Sequence, residues 1–567
     1  MNTANLSRYV LLAAIAAVGF MLLVEFNQFK NEQQRNTILA NNVTAEAPAA
    51  TAVPVALPQP AAATVITPGD VPQFKNDESA TAAFTPASSV VRVTSDVLDL
   101  SIDLQGGDII RATLPQYLAR LDTPDQPFVL LEKTPTLTYV AQSGLVGPQG
   151  TDTATARPLF SAAASTYTLG DTDEQLHVDL VFEQAPGVTL TKRFTLARGS
   201  YQIRMSYLIN NQSNQLWQAA LYGQLKRDSS ADPSAAGGGS LGVQPFLGIA
   251  STTDEDRFYK EAFKKLPDDP FATRKNDGWI AVIQHYFLSA WIPEKGVAVD
   301  YSAFQSNAFN YARFTMPLIA VQPGSEGIIN ASLYLGPKDQ YSLETIAENL
   351  DLSVDYGWLW WIAQPLFWVL TFLYGIFGNW GFAIIGLTVL VKALFFPLSA
   401  ASYRSMANMR RVQPKLVELK ERYGDDKQKM SQAMMELYRK EKINPLGGCL
   451  PILIQMPVFI ALYWVLLESV ELRHAPFIGY IHDLSAMDPY FIMPLIMGAS
   501  MFFQQKLNPP PPDPMQAKIM QWMPVVFTVF FLWFPAGLVL YWVVNNLLSI
   551  TQQWVITRNI ERAAAGA

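Results

Sequence analysis

The chain has 567 residues, half of them hydrophobic, with 13 Trp, 32 Phe and a formal net charge of −7 from 41 Lys and Arg against 48 Asp and Glu. That length exceeds one ordinary core and requires division. An acidic total without an arginine-rich stripe argues against nucleic acid as the primary ligand, because phosphate binding needs clustered cations. The single cysteine, Cys449, rules out an intramolecular disulfide, and His177, His285, His474 and His482 lack the i, i+4 pairing of a helical metal site, so no metal and no cofactor is expected.

At the N-terminus Arg8 precedes an apolar run from Tyr9 to Val24 and a polar stretch, Glu25–Gln34. No small-x-small cleavage signature follows Val24, so residues 1–28 read as an uncleaved transmembrane anchor. Residues 29–75 read as a disordered tether: between 43 and 70 Ala, Pro, Val and Thr dominate, without the large apolar groups that would offset ordering entropy. From 76 to 345 the pattern becomes period two, as in Thr189-Leu190-Thr191-Lys192-Arg193-Phe194-Thr195-Leu196, with Gly, Pro, Asn or Asp often bounding the runs. This predicts an antiparallel β-sandwich. Within it, Ala235–Ser240 is a glycine-rich loop rather than a phosphate cradle, since no Lys-Ser/Thr follows and no helical pattern opens there.

The 36 residues from Tyr356 to Val391 carry no charge. As one helix they would run about 54 Å, well past a hydrocarbon core of about 30 Å. A break is therefore expected at Gly375, Gly378 and Asn379. Residues 346–378, with Trp358, Trp360, Trp361, Phe367 and Trp368, read as an interfacial amphipathic helix region. Residues 379–560 read as a membrane core with spans near 380–398, 446–467, 490–505, 518–534 and 536–556, the last two joined by a tight turn at Phe534-Pro535-Ala536-Gly537. With the anchor the total is six. Residues 399–444 hold 11 Lys and Arg against 6 Asp and Glu, whereas residues 75–355 hold 21 against 32. The positive excess places the 400–442 segment and both termini on the cytoplasmic side and the β-domain outside, in the periplasm of a bacterial inner membrane.

The cytoplasmic segment reads as a helical hairpin, Ala407–Tyr423 and Lys427–Glu441, turning at Gly424-Asp425-Asp426. Its Met406, Met409, Met430, Met434 and Met435 suit either an adaptable client surface or packing between the two helices. Lys392 lies inside an otherwise apolar span, with Thr388 one turn earlier on the same face. Two structural readings compete with a functional one for Lys392: snorkelling toward the cytoplasm and a buried ion pair. Asn444–Phe459 puts two prolines and Gln455 into another span, which membranes tolerate mainly where neighbouring helices or a wet cavity satisfy the freed backbone. Gln455, Asn545 and Asn546 are the other strongly polar groups at span depth, and together with Thr388 they could line a polar recess around Lys392. No Ser-His-Asp order, metalloprotease motif, nucleotide loop or paired intramembrane carboxylate accompanies them, which argues against an enzyme and against an ion-coupled pump.

Five stretches resemble the YidC/Oxa/Alb family of membrane-protein insertases, in its Gram-negative form: Val391–Leu398, Met409–Lys415, Tyr423–Gln428, Asn444–Phe459 and Phe531–Trp542. With the anchor, tether and β-domain, the resemblance spans essentially the whole chain. It implies an insertase and chaperone for inner-membrane proteins, acting alone or with the Sec translocon, with no enzymatic activity. The implied fold is a membrane core of α-helices, six in total, with a periplasmic β-supersandwich and the cytoplasmic hairpin. It further implies a hydrophilic groove with Lys392 as its cation, Thr388 and Gln455 in its polar wall, and Met456, Tyr541 and Trp542 in contact with the client. The polar reading adds Asn545 and Asn546 to that wall. Arg410, Arg411, Asp425 and Asp426 mark the hairpin. The partners implied are newly made membrane proteins, Sec components, the lipid bilayer and, at the cytoplasmic side, the ribosome or signal-recognition machinery. Family members usually carry arginine where this chain has Lys392, so the planar fork is lost while the charge is kept. The β-domain resembles a supersandwich related in shape to sugar-binding domains, for which a Sec-associated contact surface is the better reading than sugar. Two alternatives are a small-solute transporter or channel with a periplasmic accessory domain, and a membrane-anchored carbohydrate enzyme. The first would need a through-path, usually with paired repeats, and no convincing repeat occurs between 380 and 556. The second would need paired carboxylates in the β-domain and leaves five spans unexplained.

Overall fold

A computed structural model describes residues 89–565, apart from 154–155, 236–244, 424–425, 442–449 and 509–513. The expected anchor and tether, most of the glycine-rich loop, and Asp425 lie outside the described residues.

The period-two segments fold into two sheets. One, of eleven strands among the described residues, runs from Phe271–Asn276 at one edge through Trp217–Arg227 and Thr138–Val146 to Val90–Thr94 and Thr166–Thr168. The other, of nine, runs from Tyr259–Ala262 through Phe287–Pro293, Ser325–Pro337, Gln202–Asn211 and Val188–Ala197 to Ser161–Ala162. Pairing is antiparallel throughout except where Arg92–Thr94 meets Thr166–Thr168 in parallel, a short edge exception to the expected pattern. Strand Val188–Ala197 alternates inward and outward residue by residue, as the sequence predicts. Leu190, Phe194 and Leu196 thereby reach a core shared with Leu225, Ala312 and Phe314 of the facing sheet.

The same alternation drives Lys192 inward. It is fully buried, and its Nζ donates to the carbonyls of Gly106, Gly107 and Ser143 at 2.9, 2.9 and 3.0 Å. Burial pulls this ammonium down to about 7, opposed by the nearby Asp108 carboxylate.

After the sandwich the chain turns helical. Helix α1, Gln340–Ile346, starts where Asp339 accepts hydrogen bonds from the backbone N–H of Tyr341 and Ser342. Helix α2, Trp360–Phe377, buries Ala363, Phe367, Leu370 and Leu373, a stripe at helical spacing. Its outer side carries Trp360, Trp361, Trp368 and Phe372, all exposed. That outward face is aromatic rather than charged. Together with the preceding turn, 357–377 is the one described helix that is long and apolar enough on its own to cross a membrane.

The break falls at two of the three predicted residues. Gly378 closes α2 with φ 63°, a left-handed conformation suited to glycine. Asn379 then caps α3, Trp380–Leu394, by accepting from the Phe382 N–H at 3.2 Å, while its amide donates to the Pro476 carbonyl at 3.1 Å. Gly375 stays helical.

Helix α4, Phe396–Tyr423, begins 11 residues earlier than the hairpin reading placed it, directly after a break at Phe395. Pro397 sits in its first turn, where a missing N–H costs little. Helix α5, Lys427–Lys440, is capped by Asp426, which accepts from the N–H of Gln428 and Lys429. It folds back along α4 so that Lys415 reaches Glu441 at 2.6 Å. The remaining helices are α6, Leu450–Glu468; α7, Ile492–Leu507; α8, Pro514–Phe531; and α9, Ala536–Ala565. The Phe534–Gly537 turn between the last two is pinned by Ala536 and Gly537 N–H groups donating to Ala486 and Leu484 carbonyls. A second apolar core, separate from that of the sandwich, unites α2, α3, α6, α7 and α9 through residues such as Leu370, Ile384, Leu462, Met497 and Val539.

Candidate functional site

Lys392 lies in the last turn of α3, where a cation suits the helix dipole. It is 7% exposed, and its ammonium points inward. Nζ donates to Ser549 Oγ on α9 at 2.7 Å and to Gln455 Oε1 on α6 at 3.4 Å. No carboxylate among the described residues pairs with it. Among the described residues, its hydrogen-bond partners are neutral oxygens.

Gln455 is the hinge of the cluster. Its Oε1 accepts from Lys392, and its Nε2 donates to the Tyr541 hydroxyl at 3.1 Å and to Asn545 Oδ1. Ser549 in turn donates to the Asn545 backbone carbonyl at 2.7 Å. Three helices thus meet through one chain of hydrogen bonds, and Asn545 and Tyr541 are nearly fully buried within it.

Other expected members lie elsewhere. Asn546 donates to Ser500 on α7 at 3.0 Å and turns away from Lys392, because adjacent helical residues diverge by about 100°. Thr388 is buried beside Lys392, yet its hydroxyl donates to the Ile384 carbonyl of its own helix at 2.7 Å, so its proton is not offered to the recess. Of the three client-contact candidates, Met456 is 39% exposed, whereas Tyr541 is 1% exposed and serves the hydrogen-bond chain. Trp542 is half-buried and packs edge-on against Phe459, 5.0 Å between ring centroids, and against Phe531.

In the helical pair, Arg410 donates to the Leu507 carbonyl at the end of α7, and Arg411 lies 4.0 Å from Glu441. Asp426 acts as the α5 cap. Met435 is exposed, while Met406, Met409, Met430 and Met434 are half-buried.

Ser549, the nearest partner of Lys392, is absent from the sequence-derived site, as is Ser500. A signal for Ser549 exists: Asn545 or Asn546, Ser549 and Gln553 form a polar stripe at three- and four-residue spacing along α9. No group of three or more His, Cys, Asp or Glu side chains converges as a metal site among the described residues. Ser549 accepts from Lys392 and gives its own proton to the Asn545 carbonyl, so the pair is arranged as ammonium and acceptor rather than as base and nucleophile.

Two family sequence models together cover most of the chain. One, described as the YidC periplasmic domain, matches residues 90–369, and the other, described as a 60Kd inner membrane protein, matches residues 372–563. A membrane protein insertase YidC of Cellvibrio japonicus is 53% identical over 565 residues, covering 98% of this chain and 99% of the relative. The chain belongs to the YidC family of membrane protein insertases. A further YidC relative, from Stutzerimonas stutzeri, is 51% identical over 99% of this chain and 100% of its own. A solved structure described as an active YidC insertase, with its first transmembrane domain resolved, covers 82% of this chain and 92% of its own at 18% identity, with a TM-score of 0.37. The boundary between the two family models, at 369–372, falls inside α2, so the YidC periplasmic domain and the inner-membrane portion share that helix.

Proposed function

We propose that this chain inserts membrane proteins into the bacterial inner membrane through the recess around Lys392, and performs no covalent chemistry. The observation that carries this reading is a buried ammonium whose hydrogen-bond partners among the described residues are neutral oxygens on α6 and α9, in a member of an insertase family. A client's acidic or polar translocated segment supplies the missing anion. Moving a charged side chain to the bilayer centre costs roughly 2.5–3.5 kcal/mol on insertion scales, and a waiting cation lowers that barrier. No nucleotide is needed, because burial of the client's apolar segment in lipid drives the final step.

The rest of the reading follows the charge pattern of the sequence. Six spans, including the N-terminal anchor, leave both termini and the α4–α5 hairpin cytoplasmic, with the β-domain in the periplasm. Helix α2, with its outward tryptophans, lies along the periplasmic interface ahead of the core. The hairpin, with Arg410 and Arg411, faces the side of the ribosome or the signal-recognition machinery, and the β-domain offers the surface for Sec components. Clients slide past Met456, while Tyr541 and Trp542 meet them once the recess opens.

The test is insertion of a short client with an acidic translocated tail into liposomes holding only this chain. Lys392→Ala is expected to insert it poorly and Lys392→Arg normally. Solute flux through the same liposomes with no effect on client insertion would favour the transporter reading instead.

A further inference from the structure

The segment after α6 is built into the β-domain rather than looping free between helices. Val470, 3% exposed, belongs to the sandwich core, whereas Leu472, two residues on, belongs to the helical core. Arg473 donates to the Ala119 carbonyl at 3.1 Å and lies over the rings of Phe128 and Phe287, 5.5 Å from each centroid. Glu468, the last residue of α6, accepts from Lys338 Nζ at 2.8 Å, their side chains 5% and 2% exposed. One residue earlier, the Leu467 carbonyl, left open by the end of the helix, accepts from His285 Nε2 at 2.8 Å. Burial holds His285 down to about 3, so the imidazole is neutral and its Nε2 carries the proton.

These contacts grip α6 at its end, and Gln455 lies on the same helix. From Gln455 to Glu468 the chain rises about 20 Å along one helix, with Pro457 interrupting the backbone ladder beside Gln455 and the rest of the segment unbroken. A side-chain tip sits about 5–6 Å from a helix axis, so a 20° rotation of α6 moves it by about 2 Å. That is enough to break the hydrogen bond from Lys392 to Gln455.

We propose that Lys338 and Glu468 are positioning residues: through them the β-domain clamps the end of α6 and sets Gln455 against Lys392. The clamp rests on the recess reading above, since it gives the β-domain a part in insertion only if that recess receives clients. A buried ion pair is well suited to the task, because it tolerates neither slippage nor a missing partner.

The experiment uses the full chain in proteoliposomes, with Cys449→Ser and nitroxide labels on Ile460→Cys in α6 and Leu547→Cys in α9. Pulsed EPR reads the distance between them, and the unlabelled proteins are assayed for insertion of the acidic-tailed client. Lys338→Met is expected to shift or broaden the distance distribution by about 2 Å, and Lys338→Arg to leave it alone. Insertion should fall by about tenfold, the size of a common coupling between sites. Adding Lys338→Met to Gln455→Ala should cost nothing further, because both act at the same contact. Where Lys338→Met is recovered too poorly, Lys338→Met with Glu468→Gln removes both charges and serves in its place. An unchanged distance distribution, or fully additive losses, overturns the clamp. If Gln455→Ala and Lys392→Ala both insert normally, the recess reading fails, and the distance alone decides whether the clamp exists.

Discussion

Acidification should act on the contact between the β-domain and the end of α6 in two opposite senses, and the loosening part should come from His285. Its imidazole is held down to about 3 by burial and by the neighbouring Lys338 charge, against an ordinary value of 6.5. The folded state therefore refuses a proton that the opened state accepts between those values, so stability falls as the pH drops below 6.5. At pH 5 the loss is about 2 kcal/mol, from 1.5 pH units at about 1.4 kcal/mol each. Glu471 works in the opposite sense. Burial raises its carboxyl to about 7, so its contribution is whole below its ordinary 4.5 and is lost as the pH rises through 7. Between 4.5 and 6.5 the two partly cancel in the native chain. The assay is backbone hydrogen exchange across residues 468–473 at pH 7 and pH 5, corrected for the intrinsic exchange rate. His285→Gln keeps a donor for the Leu467 carbonyl but does not titrate, so protection should rise on acidification through Glu471 alone. Glu471→Gln should show the bare loss from His285. The reasoning fails if His285→Gln shows the same change between pH 7 and pH 5 as the native chain.

Ser549→Ala removes the nearest acceptor of Lys392 and leaves the ammonium with Gln455; a hydrogen bond to a charged group is worth about 1.5–3 kcal/mol, so thermal unfolding of the helical core in detergent should shift downward measurably. Gly498 packs so closely against Thr528 that an added Cβ would fall 1.9 Å from the Thr528 hydroxyl, so Gly498→Val should part α7 from α8 and lower the yield of folded protein, while Gly375→Ala, with open space around it, should not.

Local punctuation was readable in the sequence wherever chain chemistry alone decides the outcome. Gly378 and Asn379 end one helix and start the next because only their backbone and side chain suit the corner. The strand Val188–Ala197 alternates because one face must be buried. Lys392 and Gln455 stood out because polar groups at span depth need partners, and they found each other across 63 residues. Direction was harder to read. Asn545 and Asn546 look alike in sequence, and only the rotation of α9 decides which of them joins Gln455 and which joins Ser500. A serine in a span is often satisfied by its own helix, as Thr388 is here, and the polar stripe of α9 does not reveal that Ser549 also accepts from Lys392. Glu468 ends α6, and its partner Lys338 lies 130 residues away in sequence, where no periodicity connects them.

The central claim is that the Lys392 ammonium, poised among neutral acceptors, receives the client's anion. The most direct measurement is the insertion rate, in liposomes holding only this chain, of two otherwise identical clients: one with an acidic translocated tail and one with that acid changed to its amide. With the native chain and with Lys392→Arg both clients should insert, whereas Lys392→Ala should slow the acidic client by about tenfold, well inside the cost of moving a charge into the bilayer, and slow the amide client far less. Equal rates for the acidic client with Lys392 and with Ala at that position would contradict the account.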